Sequence, residues 1–70
     1  MNRMPRITVN GAEHRFDAPL TVAQLAERLN LTGKRIAVEC NGEIIPRSQF
    51  AETLLADGDK LEVVVAVGGG

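Results

Sequence analysis

The sequence has no tryptophan and no tyrosine, and Phe16 and Phe50 are its only aromatics. Its core must therefore be built from leucine, isoleucine, valine and alanine, and with 70 residues it is a thin one: a chain this short hides only about 60% of its unfolded surface. That leaves little room for an enclosed catalytic cavity and favours a carrier or binding module of one domain. Cys40 is the single cysteine, which rules out an internal disulfide framework and any four-thiolate zinc or iron–sulfur site. His14 is the single histidine, and with one cysteine and scattered carboxylates it makes no recognisable triad or metal site. Charge of one sign is also missing. The net charge is -1 and the basic residues are dispersed, so the chain lacks the electrostatic footprint expected for nucleic acid or anionic lipid. No apolar run approaches the length of a membrane span and none follows the basic opening, so a cytoplasmic location is expected.

What is present is punctuated by turns. Arg6 to Asn10 alternates, with Ile7 and Val9 on one face, as in a half-buried strand. Asn10-Gly11 favours a type I′ turn, which predicts a second antiparallel strand over His14 to Asp17. In the stretch Pro19 to Asn30, Thr21 and Gln24 have the spacing of a capping box, and Leu20 and Leu25 that of a hydrophobic staple. Val22, Leu25, Ala26 and Leu29 follow at i, i+3, i+4 and i+7, one apolar stripe of a helix, with Asn30 or Gly33 available for a left-handed exit.

Ile36, Val38 and Cys40 share a strand face, Asn41-Gly42 turns the chain, and the run Ile44-Ile45 is halted by Pro46. Arg47 to Ala56, with Phe50, Leu54 and Leu55, has room for a helical turn before the Asp57-Gly58-Asp59 turn. Lys60 to Val67 alternates Leu61, Val63, Val65 and Val67 against Glu62, Val64 and Ala66, and is apolar enough on both faces for a central strand. The order β-β-α-β-β-β predicts an α+β fold: a mixed sheet of four to five strands packed on one main helix. The expected division is a domain over residues 1–67 and a flexible glycine tail over 68–70.

Three groups are candidates for chemistry. His14 reads as a structural or solvated residue on an exposed strand. Cys40 could carry sulfur as a persulfide, but its parity with Ile36 and Val38 turns it toward the helix, where a thiol without cationic neighbours is inert. The third is the terminus. Gly68-Gly69-Gly70 is costly to order and slim, and three residues reach about 10 Å beyond a sheet. From the glycines alone, an ordinary frayed end and a tail threaded into another protein's narrow active site are equally good readings.

The helix entry LTVAQLAERL, the segment CNGEIIPRSQF, the turn and strand ADGDKLEVV and the ending VVVAVGGG together resemble the ThiS family of thiamine-pathway sulfur carriers, over essentially the whole chain. The diglycine Gly69-Gly70 is the most specific element, supported by residues 41–47; Gly68 is one glycine more than the pair requires. The resemblance implies a ubiquitin-like β-grasp fold and a co-substrate role with no bound cofactor. A ThiF-like adenylyltransferase would use ATP to join AMP to the Gly70 carboxylate. A cysteine desulfurase or relay protein would supply sulfur to form a thiocarboxylate, and thiazole synthase (ThiG) would receive it. Gly68 and Gly69 would thread the tail, and Val64 and Ala66, opposite the helix, are candidates for partner docking. The rivals are a molybdopterin synthase small-subunit type of carrier, a ubiquitin-like modifier joined to lysine, and a β-grasp regulatory module that needs no free diglycine.

Overall fold

The computed structural model describes residues 4–66. Val67 and the glycines Gly68, Gly69 and Gly70 lie outside the described residues, and so does the division between domain and tail drawn there.

The chain folds in the order β1 (Arg6–Val9), β2 (Ala12–Arg15), α1 (Val22–Arg28), β3 (Ile36–Cys40), β4 (Glu43–Ile45), a short 3-10 turn (Arg47–Gln49) and β5 (Lys60–Val65). The five strands form one mixed sheet in the order β2-β1-β5-β3-β4. The last strand is therefore the middle one, parallel to β1 and antiparallel to β3. The expected α+β layout, with five strands and one helix, is the one found.

Both hairpins are set by Asn-Gly. Asn10 and Gly11 have φ of 50° and 85°, and Asn41 and Gly42 have 52° and 89°, the pair of positive angles that a type I′ turn demands. The first turn is tight, so β2 begins at Ala12 directly after Gly11 and ends at Arg15. This corrects the expected span of His14 to Asp17: a two-residue turn leaves no slack between strands. Phe16 lies beyond the strand and turns into the core.

Helix α1 is entered as its sequence directs. The Gln24 N–H donates to Thr21 Oγ1 at 3.1 Å and the Thr21 N–H donates to Gln24 Oε1 at 2.8 Å, a reciprocal capping box. Leu20 and Leu25 on either side of the cap are both buried in one cluster. At the other end Asn30, with φ of 60°, takes the left-handed exit. Its N–H donates to the Glu27 carbonyl and the Leu31 N–H to the Ala26 carbonyl, which closes the helix as a Schellman motif.

Among the described residues nine apolar side chains make the core: Ile7, Val9, Phe16, Leu20, Val22, Leu25, Val38, Leu55 and Leu61. One side of the sheet, one stripe of α1 and the segment after β4 thus share a single aliphatic cluster, with Phe16 at its rim. Burying a leucine of this kind contributes about 1.5–3 kcal/mol. Leu54 and Leu55 part company here. Leu55 is buried and donates its N–H to the Leu20 carbonyl, whereas Leu54, which itself forms the antiparallel bridge to Thr21, is exposed. The helical turn expected within Arg47 to Ala56 occupies only Arg47–Gln49, because the chain must extend again to reach Thr21 and Val22.

Candidate functional site

The site is built from the far end of β5. This strand is hydrogen-bonded to β1 at its start, where Thr8 faces Lys60 and Val9 faces Leu61. The Asn10 N–H still donates to the Leu61 carbonyl at 2.9 Å; the first hairpin then turns away, and the Asn10 side chain continues the contact by bonding to Val63 in both directions. On the other edge, pairing with β3 runs from Cys40–Leu61 to Ile36–Val65. One further bond, from the Ala66 N–H to the Arg35 carbonyl at 2.8 Å, holds the chain to the last described residue. The glycines thus continue from a strand fixed on one side up to Ala66.

Alternation splits the strand between two environments. Leu61 and Val63 face the core, whereas Glu62 and Val64 face outward from the side that α1 leaves uncovered. Val64 is 63% exposed, and Ala66 is exposed as well. The expectation that β5 is central is met; its outer side, however, is open to solvent rather than buried. Across the sheet Val64 pairs with Ala37, and Glu39, two residues on, pairs with both Glu62 and Ile44. Ile44, 74% exposed, is therefore on the same outer surface as Val64. Reading the residues one strand at a time missed Ile44 and Ala37. Their signal was the Asn41-Gly42 turn, which sets the register that brings Ile44 opposite Glu39.

The other two candidates go elsewhere. His14 is half-buried on β2, facing the same side as its partner Ile7, and its ring stacks on Phe16 with centroids 6.3 Å apart. The Arg28 guanidinium covers the same Phe16 ring at 5.9 Å. Cys40 is half-buried, less enclosed than its parity suggested, and packs against the core. Burial pushes its thiol above the ordinary value, and the Asp59 carboxylate raises it further by its charge and by accepting the S–H, as does the charge of Glu43. These neighbours disfavour a thiolate. His14 is on the edge strand β2 and Cys40 on the interior strand β3, with β1 and β5 between them, so the structure does not bring them together.

A groove of about 190 Å³ lies between α1 and the 3-10 turn, lined by Ala23, Ala26, Leu31, Ile36 and Phe50 with Lys34 and Arg47 at its margin, and neither His14 nor Cys40 reaches it. Among the described residues no group of three or more His, Cys, Asp or Glu side chains is placed to hold a metal. No helix of the described residues is long and apolar enough to cross a membrane.

The comparisons with known proteins agree with this geometry. A thiazole synthase from Paramagnetospirillum magneticum is 43% identical over 65 residues, which are 93% of this chain but only 20% of that protein, so the chain spans a fifth of its length. The sulfur carrier protein ThiS of Escherichia coli is 31% identical over 65 residues, covering 93% of this chain and 98% of the relative. Among solved structures, the thiamine biosynthesis protein ThiS from Geobacter metallireducens superposes with a TM-score of 0.78 at 35% identity, covering 93% of this chain and 99% of that one. The ThiS family model matches residues 5–70, from the start of the sheet through the last glycine. The chain belongs to the ThiS family, the sulfur carriers of thiamine biosynthesis.

Proposed function

We propose that the reacting group is the carboxylate of Gly70. A free carboxylate is a poor acyl donor, so a ThiF-like adenylyltransferase first transfers AMP from ATP to it, releasing pyrophosphate. A persulfide sulfur, delivered by a cysteine desulfurase or relay protein, then attacks the acyl-adenylate and displaces AMP. Reductive cleavage of the S–S bond by a thiol leaves the Gly70 thiocarboxylate, which donates its sulfur to thiazole synthase. Gly68 and Gly69 let the carboxylate enter active sites that a side chain would block, and Val64 and Ala66 meet the partner's surface. Because ATP belongs to the activating partner, this chain binds no cofactor of its own. The cycle places it in the cytoplasm with those enzymes.

The observation that carries this reading is the run of β5, paired as far as Ala66, into Gly68-Gly69-Gly70 in a chain whose family match includes all three glycines. Thiazole synthase as the sulfur acceptor is supported by the relative of that name, which contains a segment similar to this chain. The raised thiol of Cys40 supports the carboxylate over a persulfide held on this chain.

Intact-mass measurement tests it. Incubation with ATP, a cognate activating enzyme and a sulfur source should replace one oxygen by sulfur, with fragmentation locating the change at Gly70. A Cys40→Ser chain should charge equally well. A folded Cys40→Ser chain that accepts no sulfur would move the chemistry to the thiol.

A further inference from the structure

Two carboxylates face each other in the middle of the outer sheet surface. Glu39 on β3 and Glu62 on β5 are direct cross-strand partners, which puts their Cβ atoms about 4.5–5.5 Å apart. Like charges in that relation destabilise a sheet, and no ion pair among the described residues relieves them. The ion pairs among the described residues are Arg6 with Glu13 and Arg6 with Asp57, neither of which involves this pair. Lys60 shares the outer face, two residues before Glu62, yet pairs with neither glutamate.

The surroundings of the pair are apolar. By register, Ile44, Glu39 and Glu62 form one row across β4, β3 and β5, and Ala37 with Val64 forms the next. A shallow groove of about 100 Å³ runs between them, lined by Ala37, Glu39, Ile44, Glu62 and Val64. Ile44 and Val64 are among the large apolar side chains that remain exposed. Methyl groups flanking two carboxylates suit the aliphatic stem and cationic head of an arginine or lysine.

We propose that this face docks onto thiazole synthase, and that Glu39 and Glu62 together receive an arginine or lysine side chain of that enzyme while Ile44, Ala37 and Val64 cover apolar surface around it. The inference rests on the carrier reading above. Charge complementarity defines the chemistry of the occupant. Its identity follows from the thiazole synthase relative, in which a segment similar to this chain belongs to the same polypeptide. The destabilising pair is then a feature whose compensation arrives with the partner, and it disfavours partners whose matching surface is acidic.

The test uses the full, uncharged chain and purified thiazole synthase, with affinity measured by calorimetry at low and high salt. Glu39→Gln combined with Glu62→Gln should weaken binding by at least about tenfold and flatten its salt dependence. The thermal midpoint of the double variant should stay level or rise, because a repulsion has been removed. Glu62→Gln alone should give a smaller loss in the same direction. Unchanged affinity in a folded double variant overturns the inference, as does a wild-type chain that does not bind the enzyme. Self-association of the wild type that the double variant abolishes also overturns it, by assigning the face to a second copy. The carrier reading is followed separately by intact mass. A wild-type chain that acquires the thiocarboxylate while the double variant binds normally refutes only the docking inference, whereas a chain that is never charged refutes the carrier reading whatever the affinity.

Discussion

The side-chain amide of Asn10 and the backbone of Val63 form a two-way pair: Asn10 Nδ2 donates to the Val63 carbonyl at 2.9 Å, and the Val63 N–H donates to Asn10 Oδ1 at 2.8 Å. The amide adds a rung to the β1–β5 ladder after the main chain of β1 has left for its turn. Asn41 acts similarly from the other hairpin. Its Oδ1 accepts the Lys60 N–H at 3.0 Å and its Nδ2 donates to Asp59 Oδ1 at 3.0 Å. Each Asn-Gly turn therefore reverses its own hairpin and clamps the central strand.

Asn10→Ala should cost roughly 2–4 kcal/mol, from two hydrogen bonds of about 1 kcal/mol each and an alanine forced to positive φ. Asn10→Gly loses the same bonds but tolerates the backbone, and should cost about half as much. Urea denaturation of the three proteins separates the contributions. Equal midpoints for the two variants would remove backbone strain from the account, and midpoints equal to the parent would remove the amide clamp.

The capping box should be cooperative. Helix α1 has only seven residues, too few to persist without tertiary contacts, so its entry matters. Thr21→Ala should destabilise by about 1 kcal/mol, and combining it with Gln24→Ala should cost less than the sum because the two groups satisfy each other. A double-mutant cycle measures this. Strict additivity would mean that the reciprocal bonds contribute independently.

The thiol of Cys40 should alkylate slowly near neutral pH, with its rate rising only above the pH range of an ordinary cysteine. Asp59→Asn removes a charge that raises the thiol and should speed alkylation. The stability linkage has a definite sign: the folded state disfavours the thiolate, so this contribution is fully present below the unfolded thiol pKa and is lost as pH rises through the folded one. Iodoacetamide kinetics against pH, on folded protein, decide the matter. A rate profile matching a free thiol would contradict the effect assigned to burial and Asp59.

The tail variants test the carrier reading directly. Removing Gly70 shortens the reach by about 3.5 Å, and Gly69→Val adds a branched side chain where a narrow channel is expected. Both should unfold at the parent's midpoint, yet both should lose nearly all adenylation in an ATP–pyrophosphate exchange assay with the cognate enzyme. A change at Asn2 should leave exchange at the parent rate. Normal exchange by both tail variants would defeat the mechanism proposed for Gly70.

Local chemistry was enough to determine the turns, the helix and its cap. Asn-Gly, Thr-x-x-Gln and the apolar stripe from Val22 to Leu29 act over distances of one to seven residues, and each formed where its residues stand. The middle position of β5 was also legible, since Leu61, Val63, Val64 and Val65 supply the apolar side chains of a strand with neighbours on both edges. The start of β2 was not, because Ala12 and Glu13 carry no strand preference of their own and enter the ladder only by facing Val9 and Thr8. Pairing order and register were the decision of the tertiary structure. Helix α1 covers one side of the sheet and leaves the other bare, which is why the apolar Ile44 and Val64 remain in solvent. Only the β3–β5 register puts Glu39 against Glu62. A cross-strand neighbour lies 23 residues away along the chain and one strand spacing away in space, so its identity depends on which strands pair and in what alignment, and no local pattern of residues carries that information.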